Sequence, residues 1–151
     1  MKKFLLLLGL QFGCCASSQL LTINTLQNLS SSDIKHLDDK LSLHFDLFRH
    51  PDEEEKNVRV YSNLHRSNEK TIVLTVFLKN SGCHVFSVVS HVENEVLALK
   101  EELLKNNFDM GNLKAADGVS ILKYDKNKHR FLIKEPTEKM QGHQVVFMCR
   151  E

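Results

Sequence analysis

The stretch from residue 57 to residue 92 constrains the fold of this chain more than any other. It reads NVRVYSNLHRSNEKTIVLTVFLKNSGCHVFSVVSHV, with three runs rich in Val, Ile, Leu and Phe separated by polar breaks at 65–68 and 79–82. β-Branched and aromatic residues at this spacing favour extended chain joined by hairpin turns. The stretch therefore predicts an antiparallel β-meander. Both faces of its strands are rather apolar, so each face is expected to need cover.

The residues after this meander predict one helix and three more strands. Apolar residues recur every three or four positions from Val92 to Leu103, which predicts a helix near 93–105. Beyond Gly118, the runs VSILKYD, RFLIKE and HQVVFMCR are strand-like, and a polar turn at 126–128 joins the first two. No sequence repeat is visible. The overall pattern is mainly β and antiparallel.

The residues before the meander are less regular. Residues 19–32 show no sustained period and predict a loosely attached arm. The following segment has apolar residues at helical spacing from Ile34 to Phe48, but it also alternates from Leu41 to Leu47. A helical turn at 32–38 that runs into a strand at 41–48 satisfies both patterns.

The N-terminus has the order of a secretory signal peptide. Two lysines are followed by an apolar run from Phe4 to Leu10 and then by small residues near Ala16 and Ser18. A membrane-spanning helix needs roughly 20 apolar residues, and this run is shorter. We therefore predict a signal peptide at 1–18, secretion, and a single domain at 19–151, because a chain of 151 residues accommodates one ordinary core.

Cysteine usage fits the secretory prediction. Removal of the signal peptide takes Cys14 and Cys15 with it and leaves Cys83 and Cys149 as a candidate disulfide. The alternative is that either cysteine stays free or pairs with another molecule. Asn28 begins the one glycosylation sequon, Asn-Leu-Ser, and is therefore the candidate glycosylation site.

Charge and motif content argue against several classes of function. The formal net charge is +1, so nothing in the electrostatics points to nucleic acid or an anionic membrane as a partner. The eight histidines form no short spacing with cysteine or carboxylate that is typical of a metal site. No phosphate-binding glycine loop or nucleophile elbow is present. We expect no catalysis, no metal and no cofactor.

Several motifs resemble the lipocalin family, particularly its small secreted odorant-binding, urinary and epididymal members. They are NVRVY, EKTIVLTVFLKNSGC with FSVV after it, SILKYDKNKH, and VVFMCRE with Arg150 near its end. The resemblance implies an antiparallel β-barrel around a calyx for a small hydrophobic molecule such as an odorant, pheromone or lipid. The implied inward-facing, ligand-binding residues are Val58, Val60, Leu74, Val76, Phe86, Val88, Val119, Ile121, Val146 and Met148.

The chain departs from the lipocalin pattern at recognisable places. It has no Trp and therefore no Gly-x-Trp motif. It is predicted to be helical near 93–105, where the family has a strand, and we expect it to lack the family's C-terminal helix. The expected barrel is therefore incomplete or carries an inserted helix. As an alternative, the meander and its helix resemble secreted cystatins, which implies an α+β fold with a helix on an open antiparallel sheet. The cystatin inhibitory motif is missing from residues 65–70.

These observations lead to two functional expectations. The first is a secreted, non-catalytic carrier of a small hydrophobic ligand. The second is a secreted α+β protein that interacts with other proteins and has no recognisable inhibitory motif. The sequence leaves the oligomeric state open.

Overall fold

The computed structural model describes residues 19–63, 70–80 and 82–150. The predicted signal peptide at 1–18 and the predicted turn at 65–68 lie outside these residues. The helices are α1 (Ile23–Ser30), α2 (Ile34–Phe45), a 3₁₀ turn (Pro51–Glu53) and α3 (Glu93–Lys105). The strands are β1 (Phe48–Arg49), β2 (Val58–Ser62), β3 (Ile72–Phe77), β4 (Val85–Ser90), β5 (Asp109–Lys114), β6 (Ser120–Lys126), β7 (His129–Lys134) and β8 (His143–Cys149).

All eight strands form one antiparallel sheet with the order β1-β2-β3-β4-β8-β7-β6-β5. The chain builds it in two similar halves. Helix α2 precedes the meander β1–β4, and α3 precedes the meander β5–β8. The last strands of the two halves, β4 and β8, pair at the centre of the sheet. This topological repeat has no counterpart in the sequence pattern.

The sheet does not close on itself. Strands β1 and β5 lie at opposite ends of the strand order, and no pairing joins them among the described residues. The mainly β prediction is confirmed, whereas the sheet does not form the lipocalin-like barrel that the resemblance implies. The architecture is the one that the alternative describes, with helices packed on an open antiparallel sheet. The physical reason is that the β4–β8 pairing joins the two meanders side by side, which leaves both outer edges free.

One face of the sheet, here called the covered face, carries all three α-helices. Residues that pair directly across antiparallel strands share a face, so the register assigns each side chain. The buried residues of the helices and of this face form a single core. From the helices it contains chiefly Leu26, Leu29, Leu37, Leu41, Val96, Leu99 and Leu103. From the strands it contains Tyr61, Leu74, Val76, Phe86, Val88, Tyr124, Phe131, Ile133, Val145 and Phe147.

The other face, here called the open face, contributes nothing to this buried apolar core. Its apolar positions are all partly or well exposed, and Phe77 is 43% exposed. They are Val58, Val60, Val73, Phe77, Val85, Val89, Leu113, Ile121, Leu132, Val146 and Met148. The sequence expectation that both faces need cover is therefore met on one face only within the described residues.

Two N-terminal predictions are wrong. The predicted arm at 19–32 contains α1, whose Leu26 and Leu29 are buried. Helix α1 is capped by the Thr22 hydroxyl, which accepts a hydrogen bond from the backbone N–H of Thr25 at 3.1 Å. The strand predicted at 41–48 is helical up to Phe45, and only Phe48 of that range lies in a strand. Burial of Leu37 and Leu41 on the covered face decides this segment in favour of the helix.

Most later elements match the sequence expectations. The helix predicted near 93–105 is confirmed as α3, and the meander at 57–92 supplies β2, β3 and β4. The three C-terminal runs form β6, β7 and β8. Strand β5 was not predicted, because Asp109–Lys114 is polar and largely exposed and is held only by its pairing with β6.

The candidate disulfide between Cys83 and Cys149 is confirmed, with the Cα atoms 6.2 Å apart. In a lipocalin barrel the corresponding strands are not neighbours, but here β4 and β8 pair directly, and this brings the two cysteines together. The bridge closes a sequence separation of 66 residues. In the chain-entropy model it stabilises the fold by about 4 kcal/mol. A disulfide is consistent with an extracellular or otherwise oxidising compartment.

A polar network attaches α2 to the edge of the sheet. Asp38 on α2 accepts hydrogen bonds from the Tyr61 hydroxyl at 2.6 Å and from Arg59 at 3.0 Å, both on β2. Arg49 on β1 bridges Asp38 and Glu54. Burial opposes ionisation of Asp38, but Tyr61, Arg59 and Arg49 outweigh it and lower its pKa below the ordinary value. The network holds the helix in place over the covered face.

Candidate functional site

The predicted calyx residues do not share one face of the sheet. Leu74, Val76, Phe86 and Val88 are buried in the core beneath the helices. Val58, Val60, Ile121, Val146 and Met148 lie on the open face, and Val119 precedes β6. The register explains the separation, because Val60 pairs with Thr75 and not with Leu74 or Val76. Ligand binding by these residues stays a prediction.

A cavity lies instead at one end of the covered face, and we call it the end cavity. It has a volume of about 460 Å³ and is partly open to solvent. The end of α2, the start of α3, the start of β3 and the residues before α1 surround it. Its apolar walls are Leu20, Leu43, Phe45, Leu47, Ile72 and Val92. This size and lining fall within the range of pockets that hold small organic molecules.

The end of α2 shapes one wall of the end cavity. Asp46 takes a left-handed backbone conformation with φ of 56°, and its N–H bonds the carbonyl of Leu41. The N–H of Leu47 bonds the same carbonyl at 3.2 Å. This reversal of the chain ends the helix and turns Leu47 into the core, where its side chain is buried. Leu43 stays 79% exposed at the rim.

Asn63 fixes the opposite wall, where β2 ends and β3 begins. Its buried side-chain oxygen accepts a hydrogen bond from the N–H of Ile72 at 2.6 Å, and its amide nitrogen donates to the Lys70 carbonyl at 2.9 Å. Both side-chain groups of Asn63 are therefore satisfied by the protein itself. This wall is polar, and the Asn63 amide nitrogen uses one of its two N–H groups in this way.

Glu95 is the exception among the polar groups of the end cavity. It lies in the first turn of α3, and its Oε2 atom is buried without a hydrogen-bond partner among the described residues. Burial raises the pKa of Glu95, and no neighbouring cation opposes this shift. A buried acceptor without a donor costs free energy. The wall of the end cavity therefore includes a carboxylate with a buried oxygen that has no donor among the described residues, beside both apolar and polar side chains.

The sequence did not single out Glu95. Its spacing places it among the charged residues of an amphipathic helix, which are typical of a solvated surface. The residue before α3 is Val92, which makes no side-chain capping bond. A missing polar N-cap is a weak signal that the local surroundings are unusual, but it does not indicate a cavity.

Other places in the structure are weaker candidates. Two smaller cavities, of about 220 and 300 Å³, lie beside α1. Among the described residues, no group of three or more His, Cys, Asp or Glu side chains is arranged to hold a metal ion. Asn28, the candidate glycosylation site, is exposed on α1. No helix in the described part of the chain is long and apolar enough to span a membrane.

Comparisons with known proteins do not assign this chain to a family, since no family model, curated protein or solved structure matches it. Membership of the lipocalin family stays a prediction from sequence motifs. The end cavity is therefore the feature of the described residues that bears most directly on function.

Proposed function

We propose that this protein is a secreted, non-catalytic carrier that binds a small, mainly apolar molecule in the end cavity. The observation that carries the proposal is a cavity of about 460 Å³ that is lined by six apolar residues together with polar ones, which include Asn63, Lys70 and Glu95. Burial of an apolar ligand in a cavity of this kind supports micromolar affinity, about −8 kcal/mol, without an extensive polar network. The role is the one expected from the lipocalin resemblance, but the site differs from the implied calyx.

Two features support a location outside the cell. Residues 1–18 have the order of a signal peptide, and Cys83 and Cys149 form a disulfide. The Asn28 side chain is exposed on α1 and has room to carry a glycan, whereas Leu29 and Ser30 of the same sequon are buried. We expect eukaryotic cells that express the full chain to release it without the signal peptide and with an N-glycan at Asn28. The intact mass of the secreted protein, before and after enzymatic deglycosylation, shows whether the signal peptide has been removed and whether a glycan is attached.

Ligand binding is tested by titrating the oxidised 19–151 chain with the neutral fluorescent probe N-phenyl-1-naphthylamine. We expect saturable fluorescence enhancement with a Kd in the micromolar range. Val92→Phe adds a phenyl ring to the wall of the end cavity and should weaken probe binding at least tenfold, because the probe and the new ring compete for one volume.

The matched control is Val60→Phe, which adds the same ring on the open face at a predicted calyx position. It should leave probe affinity within about twofold of the unmodified chain, while circular dichroism checks that both variants fold. Absence of saturable binding to folded, monodisperse protein would refute the carrier proposal and favour the protein-interaction alternative. Loss of binding in Val60→Phe but not in Val92→Phe would place the ligand on the open face and refute the end cavity as the site.

A further inference from the structure

Glu95 indicates more about the ligand than the apolar walls do. Its Oε2 atom is buried and has no hydrogen-bond donor among the described residues, although the residue lines a cavity large enough for a small molecule. Native proteins satisfy almost all buried polar atoms, so an orphaned atom at a cavity calls for a specific explanation. A bound ligand that donates a hydrogen bond to this oxygen provides such an explanation.

The protein's own cavity residues do not satisfy Glu95. Lys70 also lines the end cavity, but its charge does not offset the effect of burial on the pKa of Glu95. The amide nitrogen of Asn63 donates one N–H to the Lys70 carbonyl and none to Oε2 of Glu95. The Ser42 hydroxyl donates to the Asp39 carbonyl at 3.2 Å. Among the described residues, no side chain of the end cavity donates a hydrogen bond to Oε2 of Glu95, so a bound ligand can supply this donor.

On these grounds we infer that the ligand of the end cavity is an amphipathic amine, with an apolar body against the walls and a protonated amino group at Glu95. This inference rests on the proposed carrier function and adds the charge class of the ligand. An ammonium group has several N–H donors and a positive charge, and hydrogen bonds between charged partners are stronger than those between neutral ones. Burial raises the pKa of Glu95 because it disfavours the charged carboxylate, and a cationic partner offsets this cost.

The test compares three ligands that share a ten-carbon chain, namely decylamine, decanol and decanoic acid, each displacing N-phenyl-1-naphthylamine at neutral pH. Binding of the neutral probe reports on the carrier function alone, and the order among the three competitors reports on the charge class. We expect decylamine to bind at least tenfold more tightly than decanol, and decanoic acid to bind most weakly.

Glu95→Gln keeps the size of the side chain but removes its charge. It should reduce the preference for decylamine over decanol to about twofold or less while leaving probe binding in place. The matched control is Glu93→Gln, which removes an exposed charge from the same first turn of α3 outside the cavity wall. It should retain the preference for the amine.

The outcomes separate the two proposals. If the probe binds but decanol or decanoic acid equals or exceeds decylamine, the carrier function stands and the amine inference is wrong. Tight binding of decanoic acid would instead identify Lys70 as the charge that selects the ligand. An amine preference that persists unchanged in Glu95→Gln would also overturn the role of Glu95. If no probe binds to the folded chain, the carrier function itself fails.

Discussion

The two faces of the central sheet have similar amounts of apolar sequence but different surroundings. On β8, Val145 faces the helices and is completely buried, while its neighbour Val146 faces the open side and stays partly exposed. On β4, Val88 and Val89 show the same contrast. The side-chain type is identical in each pair, so the difference comes from the helices that cover one face. Apolar alternation in a strand therefore does not reveal which face becomes the core.

The faces also differ in their charged groups. On the open face, β6 and β7 carry a charged cluster in which Arg130 donates two hydrogen bonds to Asp125, at 2.7 and 3.0 Å. The Arg130 hydrogen bonds outweigh burial and lower the pKa of Asp125. On the covered face, the Asp38 network with Arg59 and Tyr61 lies at the sheet edge and attaches α2. The Asp125–Arg130 cluster lies on the open face of the sheet, whereas the Asp38 network holds α2 against the core.

The largest effect should come from removing identical side-chain atoms on opposite faces of β8. Val145→Ala should lower the free energy of unfolding by about 2 kcal/mol, because it leaves a cavity in the core. Val146→Ala should lower it by less than about 1 kcal/mol, since Val146 already contacts solvent. Urea denaturation of both variants measures the two values. Equal losses would show that the open face is covered in the folded protein, and the contrast between faces would fail.

A smaller effect should come from weakening the attachment of α2. Asp38→Asn removes the charge that Arg49 and Arg59 contact and should cost about 1 kcal/mol at neutral pH. Because the pKa of Asp38 is lowered in the folded state, its contribution is present above the unfolded pKa of about 4 and is lost as pH falls through the folded pKa. The stability difference between the parent chain and Asp38→Asn should therefore shrink below about pH 4.

Asp39→Asn is the control for this measurement, because it makes the same chemical change at the next, exposed position of α2. It should change stability little at neutral pH. Thermal unfolding of all three proteins across pH values from about 2.5 to 7 gives the comparison. A difference between the parent and Asp38→Asn that grows toward acid pH would contradict the assigned role of the Asp38 carboxylate.

Sequence patterns predicted those elements whose signals are local. Helix α3 has the bounds that its apolar period indicates, and the strands of the first meander follow their valine-rich runs. Strand β5 lacked such a signal, since its polar residues are ordered by their partner strand β6. In the segment at 34–45, apolar residues follow both the helical spacing and the alternation of a strand. Only the contacts of Leu37 and Leu41 with the core select the helix.

The candidate site was less predictable than the fold. The calyx residues were chosen by alternation within each strand, but the register between β2 and β3 places Val60 opposite Thr75 and separates the set between two faces. Glu95 appeared to be an ordinary surface charge. Its missing partner becomes visible only when α2, α3 and β3 meet around one cavity.

By itself, the amino-acid sequence determined the strand-rich character, the helix at 93–105, the secretory order of the N-terminus and the cysteines available for a disulfide. Each of these depends on residues that are close in the chain or on how many residues of one type it contains. The tertiary structure alone decided that β4 pairs with β8, that the sheet stays open, that one face is covered and that Glu95 lies unpaired in a cavity. These features depend on contacts between residues far apart in sequence. The spacing of apolar residues within one segment does not indicate which distant segment it will pack against.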